Sequence, residues 1–389
     1  MLSIFVSFFA SLAITMLIVK FARIIKGVLD LDLDGVQKFH AVPVPRVGGL
    51  GIFIAALLGC ATVYSNNPEV GMWIGLLILS GVPAFGAGIV EDFCKRVSPL
   101  QRLVFTMLSA AIAYFVVNAG IIRTGSDFVD QLLGYALICL PLTVFAIAGV
   151  ANAINIIDGF NGLAGAVTMF MLLSLAYVAY SVGDHFVMSA ALIMVGAIGG
   201  FFVWNYPGGM IFMGDGGAYF IGFMLAELAV LLVARNPAVS PWYVVLLLIY
   251  PVVETIFSIY RRKVVRGVSP GLPDGVHLHT LVFKRIVRWT LGPKDARAII
   301  RSNSRTSPYL WLLSLMAVIP ATLLWANTVV LLILCVLFIA TYVWLYSKIV
   351  HFKVPGYLRH GRRAPTKAWM SIAANEPEML VDTKVSQSG

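Results

Sequence analysis

Long apolar runs dominate the chain, and short polar segments separate them. Windows near 2–19, 47–64, 71–90, 103–122, 132–150, 162–182, 186–204, 218–234, 242–260, 308–326 and 329–347 are apolar over most of their length. A helix needs about 20 such residues to cross the hydrocarbon core of a bilayer. The pattern therefore predicts an all-α, polytopic integral membrane protein with about eleven transmembrane helices. Residues 1–350 are expected to form one membrane-embedded domain. From 351 the chain turns basic and then polar, so 351–389 is expected to be a cytoplasmic tail of little order.

Composition strengthens this reading. Of the 389 residues, 60% are hydrophobic and 12% charged, where soluble domains run nearer one half and one quarter. A water-soluble enzyme and a disordered chain are both excluded. The net charge of +10 reports topology in such a protein, not nucleic-acid binding. Segments 20–46, 91–102, 151–161, 205–217, 261–307 and the tail from 348 hold 26 of the 28 Lys and Arg residues. The alternate loops hold only Arg123 and Arg235. Positive loops stay in the cytoplasm, which puts the N-terminus in the periplasm and the C-terminus inside. In MLSIFVSFFASLAIT the positive residues Lys20, Arg23 and Lys26 follow the apolar run, as in a first span and unlike a cleaved leader. The four cysteines show no CxxC or CxxH spacing, so neither a disulfide framework nor a zinc site is expected.

Nearly every polar cluster able to carry chemistry falls on the cytoplasmic side of this map. Glu91 and Asp92 end an apolar run just before Lys95 and Arg96. Such a pair is either a solvated span terminus or, beside a phosphate substrate, part of a Mg²⁺ site. Asn152, Asn155 and Asp158 recur every third residue, ahead of Gly159, Asn161 and Gly162. One helical face would present two amides and a carboxylate, and amides left unpaired in apolar surroundings are costly. They point to a ligand. Asp215 stands among glycines in FMGDGG, where the backbone can approach an anion closely, although an ordinary turn fits the same string.

His277 and His279, followed by Lys284 and Arg285, lie in the most basic inner loop. An i, i+2 pair implies an extended or turning segment. It suits phosphate, and the basic run would equally suit anionic lipid. Lys38, His40 and Arg46 precede the second span, where orientation signalling is the competing explanation. Glu227 and Glu254 are the acids placed deepest in spans. A transporter needs polar groups along a path through the bilayer, and two acids without a basic partner make a poor one.

These clusters, in this order and on one face, resemble the polyprenyl-phosphate N-acetylhexosamine-1-phosphate transferase family, glycosyltransferase family 4. The resemblance runs from about residue 20 to about 290, and NAINIIDGFNGLA is its most specific string. Where the family usually reads Asp-Asp this chain has Glu91-Asp92, and where a third histidine often stands it has Thr280. HLHT and PRVGG look more like the branch that initiates O-antigen synthesis than the phospho-MurNAc-pentapeptide translocase branch.

The resemblance implies transfer of a sugar-1-phosphate from a UDP-N-acetylhexosamine to undecaprenyl phosphate, with release of UMP, in a bacterial inner membrane. It implies Mg²⁺, or Mn²⁺, held by Asp215 with Asp92 and Asn155. Asp92, Glu91, Asp158 and His279 would carry catalysis. Lys38, His40, Asn152, Asn155, Asn161, His277 and Arg285 would bind substrate. The partners implied are the two substrates, the bilayer and a second copy in a homodimer, with no nucleic acid. A translocase acting on the muramyl-pentapeptide substrate is the alternative within the family, and a transporter or flippase the alternative outside it.

The charge map makes a direct prediction. Cysteine labelling should place 20–46, 91–102 and 261–307 in the cytoplasm and the N-terminus outside. Labelling near Asp274 from the periplasm would overturn both the map and the side assigned to the chemistry.

Overall fold

The apolar windows fold as helices in the order the pattern requires. The structure, a computed structural model, describes residues 2–22, 29–30, 43–265, 267, 275–287 and 296–351. Lys38, His40 and the tail beyond 351 lie outside the described residues. Chain order runs α1 (Leu2–Phe21), α2 (Gly48–Asn66), α3 (Pro68–Ser80), α4 (Val82–Cys94), α5 (Pro99–Val116), α6 (Asp127–Leu133) and α7 (Ala136–Ile157). It continues with α8 (Leu163–Ser181), α9 (His185–Asn205), α10 (Gly214–Arg235), α11 (Pro241–Leu247) and α12 (Ile249–Tyr260). The short α13 (Leu278–Val282) and the long α14 (Ala296–Leu323) and α15 (Thr328–Val350) complete it. A two-residue antiparallel ladder, β1 (Leu29–Asp30) with β2 (Val44–Pro45), is the one strand pairing among the described residues.

Among the described residues, nine helices are long and apolar enough to cross a membrane, and eleven spans result if two bent pairs each count as one. The chain is an all-α polytopic membrane protein. Two windows expected as single spans are broken. Helices α3 and α4 meet at 43°, and α11 meets the helix that starts at Ile249 at 67°. Proline lacks an N–H and its ring displaces the carbonyl four residues back. Pro83 sits in the first turn of α4 and Pro251 in that of α12, so each break falls where the helical ladder cannot run through.

Helix α10 is the axis of the bundle. It is apolar on every side, the mark of a helix with no exposed face, and it is buried along nearly its whole length. Helices α2, α4, α5, α7, α8 and α9 pack around it. Without a hydrophobic drive between helices in lipid, small residues set how closely backbones approach. A Cβ on Gly49 would run into the Gly217 backbone, and one on Gly88 into the Gly216 backbone. At the periphery, Ser7, Ser11 and Thr15 form one buried stripe of α1. That stripe faces Gly51 and Gly59 of α2 and Gly200 of α9 in the same close manner.

The loops sort to two ends. At one end, the Gly48 and Gly49 amides donate to the Phe212 and Met213 carbonyls at 3.0 and 2.9 Å. At the other, Arg123 donates to the carbonyls of Val233, Asn236, Pro237 and Val239, in the last turn of α10 and just past it. There Arg235 pairs with Asp184 at 2.8 Å. Burial would push the Asp184 carboxyl up, but Arg235 and the Asn236 amide hold it below the usual range. This alternation of ends is the one the positive-charge map uses.

Gly88→Ala should force α4 away from α10 and cost about 1–3 kcal/mol of stability, read as earlier melting in detergent. Gly86→Ala is the control, because a Cβ there meets nothing within 4 Å. Equal melting of the two variants would refute the close α4–α10 contact.

Candidate active site

The first amides of any helix have no intrahelical acceptor. For α10 that end lies inside the protein, and Asp92 in the last turn of α4 meets it. Its two carboxylate oxygens accept the N–H groups of Asp215 at 2.8 Å and Gly216 at 2.9 Å. Asp92 is 3% exposed, and its carboxylate also answers the positive end of the helix dipole. Gly214, at φ +76°, turns the chain into α10 directly over it. A side chain at Gly214 would strike both the Arg46 carbonyl and Asp92.

Asp215 has its own partners. Its carboxylate accepts from Asn155 Nδ2 at 2.9 Å, pairs with Arg102 and lies 3.4 Å from an Arg46 nitrogen. Arg46 stands 3.7 Å from Asp92 as well. The Arg102 guanidinium is 5.8 Å from the centre of the Tyr219 ring, and the Tyr219 hydroxyl donates to Asn152 Oδ1 at 3.1 Å. Asn152 and Asn155 therefore face α10 together, as their spacing implies. Asp158 ends α7 beside them. Burial pushes its carboxyl well above the usual range, and Asp215 and Asp92 add to this against the pull of Arg46.

The histidine segment is anchored by Glu254 of α12. His277 Nδ1 lies 3.0 Å from Glu254 Oε1, and the Leu278 amide donates to the same oxygen at 3.0 Å. The Tyr342 hydroxyl donates to Oε2 at 2.8 Å. Glu254 thus pins the start of α13 and does not line a path across the membrane. His279 packs edge-on against Phe160, with ring centres 5.5 Å apart. A Cβ on Gly159 would come 3.2 Å from His279 Nε2. The two histidines stack at 5.1 Å, so the segment adjoins the turn that follows Asp158.

Two of the expected site residues have structural partners of their own. Glu91 does not join Asp92, because neighbouring residues on a helix point in different directions. Its Oε2 accepts the Val97 amide at 2.7 Å and braces the loop after α4. Asn161 is buried, with its N–H donated to Asn303 and its carbonyl accepting from Ser307. Arg285 is exposed on the turn that continues α13. The sequence reading missed Arg46 and Arg102 as site residues. Arg102 follows a legible capping box, Ser98 with Gln101, which sets it in the first turns of α5. Its charge is indistinguishable in sequence from an orientation signal.

Among the described residues, no group of three or more His, Cys, Asp or Glu could hold a metal ion. Mg²⁺, however, takes hard oxygens and needs only one or two protein carboxylates. Asp215, Asp92 and the Asn155 amide oxygen are donors of that kind, and Asn155 Nδ2 already holds Asp215 at 2.9 Å, so the three stand together. The residues fit such an ion.

Residues 73–233 match the family described as glycosyl transferase family 4. That stretch contains Asp92, Asn152, Asn155, Asp158 and Asp215, and ends before His277. The chain is 28% identical over 285 residues to a probable undecaprenyl-phosphate N-acetylglucosaminyl 1-phosphate transferase of Bacillus subtilis, covering 72% of this chain and 77% of that protein. It is 31% identical over 202 residues to a phospho-N-acetylmuramoyl-pentapeptide-transferase of Streptococcus pneumoniae, covering 48% and 59%. A protein of that same description from Streptococcus uberis is 28% identical over 242 residues, covering 57% and 71%.

Asp92→Ala removes both acceptors at the start of α10. Leaving buried amides unsatisfied costs about 1–3 kcal/mol each, so the purified variant should melt earlier in detergent. An unchanged melting temperature would show that the cap contributes nothing to the fold.

Proposed function

We propose, from the match of residues 73–233 to glycosyl transferase family 4 and the likeness to the Bacillus subtilis relative, that the chain transfers an N-acetylhexosamine-1-phosphate from a UDP-sugar to undecaprenyl phosphate. UMP is released, and the lipid-diphosphate sugar begins an O-antigen or another envelope polysaccharide at the cytoplasmic face of a bacterial inner membrane. The observation that carries this reading is the meeting of Asp92, Asp215, Asn155, Arg46 and Arg102 at the buried N-terminus of α10. Carboxylates, amides and guanidinium groups gathered at one end of a membrane bundle suit a polyanionic donor that must meet a lipid.

In this reading an oxygen of the lipid phosphate attacks the β-phosphorus of the UDP-sugar. The bond from that phosphorus to the bridging oxygen breaks, and UMP leaves with the electron pair. Such transfers are catalysed mainly by positioning and charge neutralisation. A phosphate monoester has its second pKa near about 6, so the acceptor arrives largely as a dianion and needs no strong base. Arg46 and Arg102 would neutralise charge on the diphosphate. Asn152 and Asn155 would orient the nucleotide side, and Asp92 would place Asp215 by holding the first turn of α10. Asp158 and His279 would flank the reacting phosphate, with His277, Lys38, His40 and Arg285 adding donors for substrate. Mg²⁺ or Mn²⁺ held by Asp215 with Asp92 and Asn155 would supply Lewis-acid stabilisation of the diphosphate.

UDP-N-acetylglucosamine is the donor favoured here, since the Bacillus subtilis relative so named aligns over 72% of the chain. The muramyl-pentapeptide donor is the second reading, supported by the names of the streptococcal relatives. Purified protein given undecaprenyl phosphate, Mg²⁺ and a panel of UDP-sugars should release UMP with UDP-N-acetylglucosamine and stop on chelation. Asp215→Asn should stay folded and lose about 10²-fold or more in turnover, the scale of removing one electrostatic group from an active site. Release of UMP from no UDP-sugar would refute the proposal.

A further inference from the structure

The turn between α7 and α8 is held by side chains from far along the chain. Asn161 donates its N–H to Asn303 Oδ1 at 2.8 Å, and its carbonyl accepts from the Ser307 hydroxyl at 2.6 Å. Gly162 donates its N–H to Asn205 Oδ1 at 2.6 Å, and its carbonyl accepts from the Trp311 indole N–H at 3.1 Å. The Asn161 side-chain amide adds a bond to Ser304 Oγ at 3.3 Å. Every backbone hydrogen-bonding group of these two residues is thus matched by a side chain, where loops usually rely on water at the surface. Asn303, Ser307 and Trp311 recur every four residues, so they share one face of α14. Asn303, Ser304 and Ser307 are buried, as groups committed to such bonds must be.

The other side of the same turn touches the chemistry. Asp158 begins it, and Gly159 and Phe160 pack on His279. We propose that α14 is a positioning element of the active site: the Asn303, Ser307 and Trp311 row locks the Asp158–Gly162 turn, and through it places Asp158 and His279. Asn161 is a positioning residue that acts through this latch and not on the substrate. Only the kinetic arm of the test rests on the function proposed above.

The full-length protein is compared with Asn303→Ala, which removes the acceptor, and Asn303→Asp, which keeps it. The first readout is hydrogen–deuterium exchange of the peptide spanning 158–165, which needs no activity. Asn303→Ala should speed exchange there by about tenfold or more, as for a locally opened segment. The second readout is UMP release per folded enzyme. A turn displaced by about 1 Å should lower kcat by about 10²-fold, with KM for the UDP-sugar and the melting temperature little changed. Asn303→Asp should restore both readouts most of the way. Unchanged exchange in Asn303→Ala would overturn the latch. Faster exchange with unchanged kcat would overturn its positioning role, as would a loss that Asn303→Asp fails to rescue. If Asn303→Ala does not fold, Ser307→Ala, which frees a single carbonyl, is judged by the same criteria. If the wild-type protein releases no UMP, the functional reading falls while the exchange experiment still decides the latch.

Discussion

A carboxylate set against the N-terminus of a fully enclosed helix is the interaction on which the rest of the site depends. The first amides of α10 lie buried inside the protein, and an unsatisfied N–H there is costly. Asp92 answers two of them at once. It can do so because Gly88 lets α4 reach the α10 backbone and Gly214 turns the chain over the carboxylate. Asp215 belongs to the same first turn, so the residue nearest the proposed chemistry inherits its position from a bond made by its own backbone. Any change that moves α4 moves Asp215.

The charges gathered there explain each other. Taken alone, a carboxylate such as Asp215 would be destabilised by burial. Arg102, Arg46 and Asn155 converge on it from α5, from the segment before α2 and from α7. Arg46 is itself delivered by the backbone bonds that tie Gly48 and Gly49 to the end of the loop before α10. Three separate anchors then fix the site as a whole. Asp92 sets the acids, Glu254 sets the histidines, and the α14 row sets the turn between them. Groups ordered in this way before substrate arrives need little reorganisation during reaction, which is where electrostatic catalysis gains most.

The span pattern, the alternation of loop ends and the clustering of Asp92, Asn152, Asn155, Asp158, Asp215, His277 and His279 were all legible in the sequence. Bilayer thickness imposes a run length that a linear reading detects directly. Polar residues inside such runs stand out for the same reason, since each needs a partner. The resemblance in NAINIIDGFNGLA implied that Asn161 binds substrate, and the structure adds its bonds to Asn303 and Ser307, which have no local signature. Arg46 and Arg102 looked like two more orienting charges among 28.

The sequence by itself determined that this is a polytopic helical membrane protein, and that most of its candidate polar residues fall in alternate loops. Hydropathy and charge asymmetry are properties of the chain taken one residue at a time. Only the tertiary structure decided which of the two adjacent acids caps α10, which arginines reach Asp215, and that Glu254 serves the histidines instead of a path across the membrane. Those choices depend on how closely helix backbones approach at Gly49, Gly88 and Gly217, and on the breaks at Gly81 and Leu248 that re-aim the helices which follow. Partner selection is a matter of distance in three dimensions, and nothing in the spacing of residues along one chain encodes it.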